Sequence, residues 1–175
     1  MAMSYIGRSD LSRGLRNNNP GNLRVGDDWK GELGADPDGF IIFSDVSWGL
    51  RALARDLFTK YGRGLNTVRE IITAYAPPSE NDTAAYVNFV CDLVGVVPDQ
   101  MLSYPYDLPR MMKAIIMREN GRDGGVISGA DILEGISLAG NVTLSTAKEA
   151  AENPLVKIAL LILLGLLGYR VLAKK

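Results

Sequence analysis

Residues 107–121 read DLPRMMKAIIMRENG. The spacing predicts a helix: Pro109 falls in its first turn, where a missing N–H is tolerated, and Met111, Met112, Ile115 and Ile116 line its apolar side. Asn120-Gly121 is a C-terminal stop, which leaves Glu119 in the last turn. The same periodicity recurs on both sides of this stretch. Upstream, Ser47 can cap a helix carrying Leu50, Leu53, Ala54, Leu57 and Tyr61, which Gly62 and Gly64 end. Asn66 or Thr67 starts a short helix with Val68, Ile71, Ile72 and Tyr75, closed by Pro77-Pro78, and Asp82 or Thr83 caps another with Ala85, Tyr86, Phe89, Val90 and Leu93 that runs to Gly95. Downstream, Ser128 and Asp131 have capping-box-like spacing ahead of Ile132, Leu133, Ile136 and Leu138, with Gly140 as the stop. Strand signals are confined to residues 23–25 and 40–43, which could pair as a small β-hairpin. The class expected is α+β, predominantly α-helical, built on one core.

Composition removes whole mechanisms. The 175 residues are 47% apolar and 22% charged, room for one globular domain plus an appendage. Nineteen basic against twenty acidic side chains give a net charge of −1, not the basic stripe a phosphate backbone requires, so no nucleic-acid partner is expected. With no histidine and only Cys91, a Ser-His-Asp triad, a Cys-His dyad, a His-ligated zinc and a four-cysteine zinc site are all excluded. Catalysis must use carboxylates, amides, hydroxyls or lysine, and neither a metal nor a cofactor is implied. Cys91 itself reads as a small buried hydrophobe. Residues 1–14 lack an apolar run of signal-peptide length. Residues 155–172, LVKIALLILLGLLGYRVL, have no polar face between Ile158 and Gly168 and would reach about 27 Å as a helix, close to the thickness of a bilayer core. A buried helix of the globular domain is the alternative. The expected layout is a domain over 1–142, a linker over 143–154 and a transmembrane anchor over 155–172 that brings a lipid membrane as a partner.

Three polar segments can carry chemistry. Residues 16–24, RNNNPGNLR, either form a tight loop, because Asn, Pro and Gly are turn formers, or line a groove whose carboxamides and guanidiniums bind hydroxyl and acetamido groups of a sugar chain. Both readings can hold together. Glu80 and Asn81 lie ahead of a helix N-terminus, where they either satisfy free N–H groups or face a ligand. Glu119 sits at the negative end of a helix dipole beside apolar side chains, and both effects favour a protonated acid, which glycosidic cleavage requires. The competing reading of Glu119 is a surface glutamate paired with Arg118 or Arg122.

Four motifs, RGLRNNNPGNLR (13–24), FIIF with GLRAL (40–53), YAPPSENDTAAYV (75–87) and IIMRENGRDGG (115–125), together resemble a family of lysozyme-like proteins of bacteriophages and prophages, some of them virion proteins. The NNNPGN string is the most specific. The helix ending in Glu119 also resembles the catalytic helix of lytic transglycosylases and goose-type lysozymes. The resemblance implies a lysozyme-like domain with Glu119 as the catalytic acid and Glu80 second. It also implies substrate-binding positions at Asn17, Asn18, Asn19, Asn22, Arg24, Asn81, Tyr86 and Asn120. The chain departs from the transglycosylase pattern in its short 118–125 loop and in lacking a GLMQ-like segment, and Glu32 is a third-ranked acid.

The function these features imply is a virion-associated, membrane-anchored peptidoglycan-cleaving enzyme. It would act on the β-1,4 bond between N-acetylmuramic acid and N-acetylglucosamine by hydrolysis or by transglycosylation. The rival is a non-catalytic structural protein of a membrane-containing phage virion that docks to other virion proteins.

Overall fold

A computed structural model describes residues 3–140, which belong to one compact unit, Met1–Asn141. In chain order the elements are α1 (Arg13–Arg16), β1 (Glu32–Ala35), β2 (Ile41–Phe43), α2 (Val46–Gly62), α3 (Val68–Tyr75), α4 (Thr83–Val94), α5 (Leu108–Asn120), a 3₁₀ turn (Gly121–Val126) and α6 (Gly129–Ala139). The mainly helical class and the caps follow local chemistry. Thr67 and Glu70 close a capping box on α3, Ser128 and Asp131 close one on α6, and Gly95 and Gly140 end α4 and α6 in the left-handed conformation. Asp82 caps α4 through the Ala85 N–H. On α2 the cap is Asp45 rather than the expected Ser47. Its carboxylate accepts from both the Ser47 N–H and the Ser47 hydroxyl, a stronger acceptor than the serine alone.

α5 is the central element. Leu108, Met111, Met112, Ala114, Ile115 and Ile116 are all fully buried, and the helix contacts α1, α2, α4 and α6. Fully burying a side chain of this size contributes about 1.5–3 kcal/mol, so the expected apolar face of α5 is the main source of its stability. α2 and α6 cross closely because Gly135 has no side chain: a Cβ there would stand 2.5 Å from the Leu50 Cβ. A second cluster, Ile41, Phe43 and Ala52 with Leu23, Trp29 and Trp48 packed against it, fixes the sheet to α2.

The sheet departs from expectation. β2 lies within the expected 40–43 run, but its antiparallel partner is β1, with an irregularity between Glu32 and Gly34. Residues 23–25 contribute an isolated bridge, Arg24 to Phe40, and the Leu23 carbonyl accepts from the Ile41 N–H at 3.0 Å. β1 escapes sequence reading because it carries a glycine and an exposed Leu33 instead of β-branched residues, and is held by pairing rather than propensity.

The transmembrane helix assigned to the fold is corrected. Among the described residues no helix is long and apolar enough to cross a membrane. The longest of them, α2, has 17 residues and carries Arg51, Arg55, Asp56 and Lys60. The linker and anchor segments, 143–154 and 155–172, lie outside the described residues. Cys91 is buried in α4.

Candidate active site

A cleft of about 430 Å³ is lined by Arg13, Asn22, Leu23, Arg24, Asp27, Trp29, Phe40, Asp56, Lys60, Tyr75, Ala76, Glu80, Asn81 and Glu119. Glu119 enters it from the last turn of α5 and is partly buried. Both its oxygens are held. The Asn22 amide donates to Oε2 at 2.9 Å and the Tyr86 hydroxyl donates to Oε1 at 2.7 Å. Asn22 belongs to the NNNPGN loop and Tyr86 to α4, so three separate parts of the chain converge on one carboxylate. The Asn22 amide presents its N–H side to Glu119, and its Oδ1 is buried with no partner among the described residues.

Two tyrosines stand behind the acid. The rings of Tyr75 and Tyr86 pack edge to face at 6.4 Å, and the Tyr75 hydroxyl donates to the Gly21 carbonyl. Burial first, then the neighbouring Tyr75 and the Glu119 carboxylate, push the Tyr86 phenol far above the usual tyrosine range. Burial followed by the charges of Glu119 and Asp56 does the same for Tyr75. Both phenols therefore stay neutral donors at any working pH. The circuit from Glu119 to Asn22, through Gly21 to Tyr75 and back through Tyr86, ties the loop to α3, α4 and α5.

The expected substrate-binding residues divide into two groups. Asn22, Arg24 and Asn81 line the cleft with Glu80 and Glu119, and Tyr86 touches the acid. Asn17, Asn18, Asn19 and Asn120 are buried, do not line the cleft, and direct their amides to the chain itself. Asn17 donates to Asp36 at 2.8 Å. Asn18, at φ +51°, donates to the Ser4 hydroxyl and the Phe43 carbonyl and accepts from the Tyr5 N–H. Asn19 donates to the Leu23 and Ile41 carbonyls and accepts from the Leu23 N–H. Asn120 donates to the Pro20 and Ile116 carbonyls and accepts from the Ser12 hydroxyl. These amides build the loop because main-chain groups leaving a tight turn would otherwise be buried unpaired. Glu32 lies in β1 and does not line the cleft.

Protein P5 of Pseudoalteromonas phage PM2 is 42% identical over 122 residues, a match that covers 65% of this chain and 74% of that protein. The chain belongs to the Protein P5 family. This makes it a bacteriophage-type protein by kinship. No protein-family model matches the chain.

In this member of the P5 family, sequence reasoning missed several cleft residues. Asp56 and Lys60 form an i,i+4 ion pair at 2.5 Å on α2, and Lys60 lies 5.4 Å from the centre of the Tyr75 ring. Asp56 Oδ2 is buried without a partner among the described residues. The opposite charges at i,i+4 spacing on α2 were the available signal. Tyr75 sat in an apolar stripe and gave none. Trp29 and Asp27 come from a loop whose position depends on the sheet. Among the described residues no group of histidine, cysteine or carboxylate side chains has the geometry to hold a metal.

Proposed function

We propose that this chain is a phage virion protein with a lysozyme-like domain, whose cleft binds peptidoglycan and cleaves the bond between N-acetylmuramic acid and N-acetylglucosamine, with Glu119 as the general acid. The observation that supports this reading is the Asn22 amide at 2.9 Å from Glu119 inside an open cleft, which joins the NNNPGN loop to the end of the α5 helix. In the reaction, Glu119 gives its proton to the glycosidic oxygen as the bond from the muramoyl C1 breaks, so the leaving sugar departs as a neutral alcohol. Asn22 and Tyr86 hold the carboxyl group in one orientation. Water activated by a second carboxylate completes hydrolysis, and Glu80, Asp56 and Asp27 line the same cleft for that role. If instead the muramoyl C6 hydroxyl attacks, Glu119 takes its proton back as base and the product is lighter by one water.

A second reading is favoured by the kinship with a phage protein: the same domain serves as a non-catalytic structural component of a virion and contacts other virion proteins. The comparison leans towards this reading and the cleft towards the first. Incubating the full chain with purified peptidoglycan and weighing the released muropeptides separates them. Soluble disaccharide-peptides support the enzyme, their mass distinguishes hydrolysis from transglycosylation, and no release from any peptidoglycan selects the structural role.

A further inference from the structure

Arg13 opens α1 and Arg24 follows the NNNPGN loop, yet both guanidiniums lie over the Phe40 ring, their central carbons 3.6 and 4.2 Å from its centre. Phe40 is only 8% exposed, so its ring is a platform for cations and not a free face for a sugar. Asp38 steadies the pair. Arg13 donates to its carboxylate at 3.2 Å and Arg24 donates to its main-chain carbonyl at 2.9 Å. That carboxylate is 72% exposed, and an exposed partner at this distance neutralises little charge. Arg13 Nε is buried with no partner, and among the described residues no carboxylate pairs with Arg24. Lys60, the cleft's other cation, is already matched by Asp56. Asp27 lines the cleft near Arg24 in sequence but makes no ion pair with either arginine. Both guanidiniums line the cleft, and the planar fork of an arginine is the side chain best suited to a planar carboxylate.

We propose that Arg13 and Arg24, stacked on Phe40, form an anion subsite that receives a carboxylate carried by the glycan. The cleft is then selective for an acidic saccharide built on muramic acid over a neutral N-acetylglucosamine polymer. This rests on the reading of the cleft as a peptidoglycan site. The carboxylate comes either from the lactyl ether of the sugar or from an attached stem peptide, and the recognising chemistry is the same for both.

The test is calorimetric titration of the full chain carrying Glu119→Gln, which slows turnover, with five ligands. These are a neutral chitotetraose, a muramic-acid tetrasaccharide without peptide, the same tetrasaccharide with stem peptides, which occupy the lactyl carboxyl, and each of the last two with its carboxylates amidated. At least one of the acidic ligands is expected to bind at least about tenfold tighter than chitotetraose, and its amidation should remove the difference. Tight binding without peptide assigns the lactyl group, and tight binding only with peptide assigns the stem. Arg13→Gln with Arg24→Gln should abolish the preference for the acidic ligand over its amidated form. Equal affinity for the free-acid and amidated ligands overturns the subsite whatever the arginine variants do, because that comparison uses no change at the arginines. Wild-type protein that shows the acidic preference yet releases no muropeptide defeats the catalytic reading alone. Binding of no saccharide defeats the glycan cleft and this subsite together.

Discussion

Replacing Asn19 by alanine should destabilise the fold far more than it affects any ligand. The side chain is fully buried and makes three hydrogen bonds, donating to the Leu23 carbonyl at 2.8 Å and the Ile41 carbonyl at 2.9 Å, and accepting from the Leu23 N–H at 2.9 Å. The Leu23 carbonyl keeps its bond from the Ile41 N–H, so the substitution falls hardest on the Leu23 N–H and the Ile41 carbonyl, which both lose the Asn19 amide. At about 1 kcal/mol net for each lost bond, the loss is about 3 kcal/mol, a large share of the 5–15 kcal/mol typical of a domain. For a domain of this size that corresponds to a fall in Tm of about 10 °C. Asn22 provides the contrast. It sits at φ +50° and makes one side-chain bond, to Glu119, so Asn22→Gly removes the amide while leaving the backbone free to keep its conformation. Its loss should be about 1–2 kcal/mol, with the larger effect on saccharide binding. Urea and thermal unfolding followed by circular dichroism measure both variants. An Asn19→Ala Tm within about 2 °C of wild type, or equal losses for the two variants, would refute the division of the loop into braces and ligands.

The remaining stability predictions concern two glycines and one carboxylate. A Cβ on Gly49 would stand 1.9 Å from the Asn18 carbonyl oxygen, so Gly49→Ala should lose more than about 3 kcal/mol or fail to fold. Gly62→Ala, with nothing within 4 Å, should be neutral or stabilising by about 0.5 kcal/mol in the same unfolding assay. Burial alone would raise the Asp36 carboxyl, but the Phe40 N–H, the Asn17 amide, the Asp38 N–H and the Arg13 charge together hold it below the usual range. A carboxyl held low in the folded state contributes stability that is present above its unfolded value of about 3.9 and lost as pH falls through the folded value. Asp36→Asn should therefore lower Tm at neutral pH and flatten its decline in acid, and an unchanged acid slope would show that the Asn17–Asp36 contact carries no charge-dependent energy.

How much of this was legible in the sequence depends on the range of the interactions. Helices α2 to α6 follow from apolar spacing and from caps a few residues away, which is why Thr67, Ser128 and Gly95 are found where local chemistry puts them. Glu119 at the end of α5 is equally local, and it shares a cleft with Asn22, Glu80 and Asn81. The fates of the other asparagines are not local. Asn18 reaches the Phe43 carbonyl and Asn120 the Pro20 carbonyl, contacts between residues 25 and 100 positions apart, and no turn rule distinguishes an amide used in this way from one offered to a ligand. Asp56, Lys60 and Tyr75 were hidden for a related reason. A helix pattern states which face is apolar, but not which neighbouring loop leaves part of that face open to form a cleft.

The central claim is that Glu119 supplies the proton in cleavage of peptidoglycan. Its most direct test is the rate of muropeptide release by the full chain compared with Glu119→Gln, alongside circular dichroism of both proteins. Glutamine keeps the side chain's shape but has no proton to deliver, so release should fall by about 10² to 10⁴-fold with the fold unchanged. Wild-type turnover in Glu119→Gln would contradict the account and move the acid to another cleft carboxylate, and no turnover by the wild-type chain would contradict the enzymatic reading altogether.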